Sequence, residues 1–279
     1  MRGRLRAILG AGAWLAVASA PATAGERGLR LEVEVSERGA GAAAPERWIV
    51  WVDGSRLAAE PAPHDGGAPA RRAIFRGGED VAWLVDHARR SYFQLDPASA
   101  EATAARVAGL RDGVAQGLEM LPPEQREGLK ELLGDLGSPP PATSAAARLR
   151  SRGEAARHAG LACTLHDLLD GERRIGELCL AAWGTGPLTR ERAAALPALV
   201  SFLRRTLVPL ARELASLRPL APLSGIGRVD GFPLAARSAA ARGAPEHTLV
   251  AVRVEERAVD PAVFELPAGY ARSLVPPFD

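Results

Sequence analysis

Between Ala73 and Leu95 the chain reads AIFR, GGED, VAWLVD, HARR and SYFQL. Three short runs rich in branched and aromatic residues are divided by gaps no longer than a turn. A gap that short cannot carry a crossover, so neighbouring runs must pair antiparallel. The block therefore predicts a meander of three strands: Ala73 to Arg76, Val81 to Asp86 and Ser91 to Leu95.

The same logic extends towards the N-terminus. GLRLEVEV, Gly28 to Val35, sets Leu29, Leu31, Val33 and Val35 against Arg30, Glu32 and Glu34, the alternation of a strand with one apolar face. RWIVWVDG, Arg47 to Gly54, is a second strand ending in an Asp-Gly turn, and Ser55 to Glu60 returns as a third. Gly39 to Pro45 and His64 to Pro69 are loops rich in Gly, Ala and Pro.

A helical period begins at Asp96-Pro97, where Asp caps the first amides and Pro suits the first helical position. It runs to Leu136, with Pro122-Pro123 restarting a second helix that carries Leu129, Leu132, Leu133 and Leu136. GSPPPATSAAA, Gly137 to Ala147, is a flexible connection. A second helical region, Thr189 to Leu217, repeats Leu196, Leu199, Val200, Leu203, Leu207 and Leu210 at threes and fours, interrupted by Pro197 and Pro209. A hairpin of Phe232 to Ala239 and Thr248 to Glu256 closes the series. Strands, helices, strands, helices, strands with hairpin-length connections make an antiparallel α+β fold.

The two cysteines, Cys163 and Cys179, flank Asp170-Gly171 in AGLACTLHDLLDGERRIGELCLAAW. With a three-residue loop centred on Gly171 the cysteines stand directly opposite each other, within disulfide range. An even loop shifts the register by one and sends the sulfurs to different faces. An exported chain oxidises such a pair, and a loop of this size stabilises the fold by roughly 3 kcal/mol. The strand parity puts His166 on the face away from Cys163, and no metal partner for the thiols is evident.

Export is expected from the first 24 residues: Arg2, Arg4 and Arg6, then the apolar run Ala7 to Ala20, then small residues at Ala22-Thr23-Ala24. The run is too short to span a bilayer, and no later segment is long enough. The 35 basic and 33 acidic residues include those three arginines, so cleavage moves the net charge from +2 to −1. Nothing in that balance recruits nucleic acid. The expected location is the periplasm or the exterior.

Chemistry leaves few traces. His64, His87, His158, His166 and His247 are isolated from one another, and no zincin spacing, phosphate loop or nucleophile elbow occurs. Gly225-Ile226-Gly227 lacks the rest of a dinucleotide fingerprint. We therefore expect no catalytic residues, no metal and no cofactor. What is in surplus is apolar: Trp48, Trp51, Trp83 and Trp183, with Phe75 and Phe93, fall in the strand pattern as candidates for an apolar cleft. Trp48 and Trp51 face opposite sides of their strand because their separation is odd.

The order of segments resembles a family of uncharacterised exported bacterial proteins. Their fold is similar to the lipoprotein carriers of the outer-membrane sorting pathway and to the periplasmic sensor that restrains envelope-stress signalling. AIFRGGEDVAWLVDHARRSYFQLD carries the resemblance, with LPPEQREGLKELL as the inserted helix, the cysteine hairpin, and VDGFPLAARS followed by VEERAVDPAVFELPAGY as the closing strands. The resemblance implies a strongly curved antiparallel sheet, a half barrel, with helices over an apolar concave face. Residues 25–279 then form a single domain with helical insertions at 96–147 and 187–218. The function it implies is a non-enzymatic periplasmic binding protein for a lipid, an acyl chain or a similar apolar ligand. An envelope protein-interaction or stress-sensing module is the alternative, and an enzyme of unrecognised type the second alternative.

Overall fold

The computed structural model describes residues 27–38, 44–63, 69–122, 124–125, 147–213, 230–238 and 246–273. In chain order come β1 (Arg27–Arg38), β2 (Glu46–Asp53), β3 (Arg56–Pro61), β4 (Arg71–Arg76), β5 (Val81–Asp86) and β6 (Ser91–Leu95). Then follow α1 (Pro97–Glu119), β7 (Arg148–His158), β8 (Leu161–Asp170), β9 (Arg173–Ala181) and α2 (Ala195–Glu213). β10 (Phe232–Ser238), β11 (Glu246–Ala258), a 3-10 turn at Pro261–Phe264 and β12 (Ala271–Ser273) complete the order. The signal-like segment, His64, the helix expected after Pro122-Pro123 apart from residues 124–125, and Gly225 to Gly227 lie outside the described residues.

All twelve strands join one open sheet in the order β12-β6-β5-β4-β3-β2-β1-β11-β10-β9-β8-β7. Every ladder is antiparallel except β12 with β6; the hairpin-length gaps require this of strands adjacent in sequence, and the distant pairs β1–β11 and β9–β10 follow the same pattern. β7 and β11 approach within 8 Å although three strands separate them. Four strand spacings laid flat would span roughly 19 Å, so this half of the sheet curls strongly.

The register assigns each side chain a face. Leu29 pairs with Val52, Val52 with Leu57, and Leu57 with Phe75, so all four share one face. Leu31 and Val50 lie beside them. Arg30, Trp51, Ala58, Ile74 and Trp83 form the corresponding row on the other face. Helices cover the first face and the C-terminal segment covers part of the second, where Phe264 and Val259 bury Ala58. Leu266 and Tyr270 pack on Ile74, Val85 and Trp83.

α1 begins where the sequence demands. Asp96 accepts from the Ser99 amide at 2.8 Å, and Ser99 Oγ accepts from the Asp96 amide at 3.2 Å, a reciprocal cap. Its Ala100 and Ala104, one turn apart, pack on Leu95. α2 begins at Ala195 rather than Thr189; residues 190–194 are turns. The Ala195 amide donates to the Gly54 carbonyl in the β2–β3 turn at 2.6 Å. From there α2 crosses to the β4–β5 turn, where a Cβ on Gly77 would stand only 2.9 Å from the Cβ of Ala198. Glycine at 77 is what lets the helix approach so closely.

Three features depart from the sequence reading. β7 was not legible: RLRSRGEAARH has no apolar alternation, because an edge strand that is exposed along most of its length needs none. β12 is only three residues long and rests on pairing with β6 alone. The cysteine hairpin is corrected in register. Its loop has two residues, Gly171 and Glu172, since Asp170 pairs with Arg173. That even loop alone would send the sulfurs to opposite faces. The ladder then shifts between Leu168 and Leu169, leaving Ile175 as an extra residue on β9, and Cys179 faces Leu165. Loop and bulge together restore the shared parity, so Cys163 and Cys179 are diagonal rather than directly opposed, with α-carbons 5.4 Å apart and the disulfide closed.

Candidate functional site

The largest continuous core lies on the helix-covered face and spans β1, β2, β8, β9, β10, β11 and the start of α2. Among the described residues it is not filled throughout. A cavity of about 200 Å³ opens between Leu31 and Val33 of β1, Val50 and Val52 of β2, and Phe232 and Leu234 of β10. Leu196, in the first turn of α2, closes one side, and Ala251 and Leu249 of β11 form another. At the rim Leu249 is 43 % exposed, whereas Leu234 and Val52 are buried.

The strand pattern dictates this lining. Leu31 and Val33 occupy alternate positions of β1, and their partners Val50 and Ala251 bring the same face forward from β2 and β11. A bulge at Glu32/Val33 lets β11 skip Val252, which is left 41 % exposed. The lining residues are all apolar and none titrates. Their chemistry is confined to excluding water around an apolar group.

A polar rim stands next to Phe232. The Trp183 ring meets Phe232 edge to face at 6.3 Å, and the Arg190 guanidinium lies 5.6 Å from the Trp183 ring centre. Arg190 also pairs with Asp230 at 2.6 Å. The Trp183 indole N–H is buried and meets no acceptor among the described residues.

The six aromatic candidates are divided by the sheet. Phe75 and Phe93 share the helix-covered face, as does Trp48, the partner of Val33. Phe75 is capped by Phe202 of α2. Trp183 follows β9 and packs on the same core. Trp51 and Trp83 lie on the opposite face beneath the C-terminal segment, where the Trp83 indole donates to Gln94 at 3.3 Å. None of the six lines the cavity. The residues that do, above all Leu31, Val50, Leu196 and Phe232, carry only the alternation signal that any core strand shows.

The other face holds a wider concavity of about 590 Å³ along β1 and β11. Its charges neutralise one another: Arg30 with Glu32 at 2.7 Å, and Arg253 with Glu255 at 2.6 Å. The Arg30 hydrogen bond, working against a desolvation that opposes ionisation, holds the Glu32 carboxyl below its ordinary range. Farther along, buried Asp167 lies 3.1 Å from Arg150 and 3.0 Å from Arg174, and Arg174 also pairs with Glu177 at 2.6 Å.

Two histidines acquire neighbours that the sequence did not show. His87 Nδ1 is 3.0 Å from the Tyr270 hydroxyl, and burial, reinforced by Arg72, pushes its pKa below the ordinary histidine value. His158 closes β7 against Leu161, and Ala156 pairs with Cys163, so His158 shares the cysteines' face. Its ring nitrogen and both sulfurs lie within 4.8 Å of one another. Only the register of the unrecognised strand β7 could have revealed this group.

No family model matches the chain, and no curated protein matches it in sequence. Solved structures that align with it include an uncharacterized conserved protein from Thermus thermophilus, 9 % identical with a TM-score of 0.38, covering 88 % of this chain and 89 % of that one. The MucA/MucB complex structure from Pseudomonas aeruginosa aligns at 10 % identity with a TM-score of 0.37. It covers 87 % of this chain, which spans 56 % of that one. At these scores neither likeness carries weight for function or partner. Among the described residues, no helix is long and apolar enough to cross a membrane.

Proposed function

We propose that the chain is an exported, non-enzymatic binding protein that takes an acyl chain or a similar apolar group into the cavity beneath α2, on the inner face of a half-barrel sheet. One observation carries this reading: a cavity of about 200 Å³ on the core face whose lining holds no titratable side chain. Protein interiors are otherwise close-packed, so apolar space of this size on the core face supports a bound apolar group. The curl between β7 and β11 and the disulfide support a half barrel built for an oxidising compartment.

The test is fluorescence titration of the purified chain with N-phenylnaphthylamine, followed by displacement with fatty acids of graded length. Saturable binding at one probe per chain is expected, weakened at least about tenfold by Leu196→Trp, which fills the cavity, at a cost of about 1.4 kcal/mol. Trp51→Phe, on the opposite face, should leave binding unchanged. Absence of saturable binding, or equal binding by Leu196→Trp, would refute the assignment.

A second reading, an envelope protein-interaction module, has one observation in its favour. Leu110 and Met120, in and just after α1, are 61 % and 85 % exposed. Leu110→Glu combined with Met120→Glu should then abolish cross-linking to an envelope partner while probe binding persists. Unaltered cross-linking would exclude that surface.

A further inference from the structure

We propose that the reduced form of this chain holds one zinc ion between the thiolates of Cys163 and Cys179 and a ring nitrogen of His158. This goes beyond the apolar cavity and does not depend on it. The three donor atoms already lie within 4.8 Å of one another. Zinc takes thiolate at about 2.3 Å and imidazole at about 2.0 Å, which sets tetrahedral neighbours roughly 3.5–3.8 Å apart. The sulfurs need only move from bonding distance to that separation, within side chains whose α-carbons stay 5.4 Å apart.

Strand pairing, as well as the disulfide, brings the three residues together. Cys163 and Cys179 sit on paired strands β8 and β9, and His158 lies on β7, whose two-residue turn at Ala159-Gly160 joins it to β8. Both cysteines are buried, at 5 % and 1 % exposure, while His158 is half-buried and gives the ion a path from solvent. Two thiolates and one imidazole suit a borderline-soft cation and leave a fourth position for water.

The two states exclude each other. A dithiol reductant gives two electrons and two protons to the Cys163–Cys179 bond, yielding two thiols and the oxidised cyclic dithiol. Zinc then displaces both thiol protons and takes the lone pair of a His158 ring nitrogen. An exogenous disulfide oxidant takes two electrons from the bound thiolates and, with two protons from solvent, leaves as two thiols; the Cys163–Cys179 bond closes and Zn²⁺ is released, so the site is loaded only when reduced.

Cobalt serves as the probe. The purified chain is reduced with dithiothreitol, freed of it without oxygen, and titrated with Co²⁺, then with Zn²⁺ as competitor, with circular dichroism recorded throughout. A thiolate-to-cobalt absorption saturating at one ion per chain, absent from the oxidised chain and from Cys163→Ser, is the expected result. Losing an outer-shell contact already costs about 10–100-fold, so His158→Ala should weaken cobalt binding by at least about tenfold. If reduction unfolds the sheet, cobalt should restore the native spectrum. A reduced chain that binds no cobalt, an unfolded one that cobalt does not restore, or a His158→Ala titration matching the parent would overturn the site.

Discussion

Phe202 of α2 lies against Phe75 of β4 with ring centroids 5.2 Å apart, and neither ring is more than 2 % exposed. This contact holds the middle of the helix to the sheet, alongside its packing on α1, the close approach of Ala198 to Gly77, Leu196 in the core, the Ala195 amide at the β2–β3 turn and the Arg205–Asp80 ion pair. Phe202→Ala is expected to cost about 3–5 kcal/mol, the transfer term plus the cavity left behind. Arg205→Ala, removing a half-exposed ion pair, should cost no more than about 1 kcal/mol. Urea unfolding of the two variants checks the ranking. Similar losses from both would show that charge, rather than the ring contact, holds α2.

The diagonal disulfide closes a short loop across two paired strands. Its removal by Cys163→Ala with Cys179→Ala should lower stability by roughly 3 kcal/mol, through the freedom returned to the unfolded chain. Both positions are buried, so the paired substitution also leaves a small void that adds to the loss. Thermal unfolding of the oxidised parent and the double variant measures it. A double variant as stable as the parent would mean that the hairpin ladder alone constrains this region.

His87 makes stability depend on pH with a definite sign. Burial first and then the charge of Arg72 lower its pKa in the fold, while Glu60 and Asp86 act the other way. In the unfolded chain the ring takes its proton near the ordinary value of about 6.5. Between that value and the lower folded one the unfolded state binds more protons. The contribution is therefore intact above about pH 6.5 and is lost as the pH falls through this window. Tyr270, bonded to Nδ1 at 3.0 Å, ties the effect to the C-terminal segment over the sheet. Denaturant curves at pH 7.5 and 5.5 should show a smaller acid loss in His87→Gln than in the parent. An equal loss would assign the acid sensitivity to other groups.

How much of this was legible follows from which residues encode it. The meander from Ala73 to Leu95 and the strands at Leu29 and Trp51 were readable, because one buried face with hairpin gaps forces period-two alternation. So was the start of α1, where Asp96, Pro97 and Ser99 fill capping positions with local chemistry. β7 was hidden because an exposed edge needs no apolar pattern, and with it went the neighbourhood of His158. The cysteine register was misread because parity can be kept by an odd loop or by an even loop plus a bulge, and sequence does not separate the two. That the aromatic candidates do not line the cavity has a different reason. Tryptophans attract notice, but space is left where the lining is smaller: Val33, Val50, Ala235 and Ala251.

Gly176 tests the packing of strands at the bulge itself. A Cβ built there would stand 2.7 Å from the carbonyl oxygen of Arg237 on β10, closer than real contacts allow. Gly176 pairs with Ser238 across that ladder and with Leu168 on the other side, so neither neighbouring strand can retreat without breaking hydrogen bonds. Gly176→Ala is therefore expected to destabilise by about 1–3 kcal/mol, the range of overpacked cores. At Gly171, where φ is +60° but nothing lies within 4 Å, alanine meets only backbone strain and should cost about 1 kcal/mol. Thermal midpoints of the two variants decide between them. If Gly171→Ala proved the more damaging, the turn rather than the β9–β10 ladder would be the tighter constraint on the hairpin that carries both cysteines.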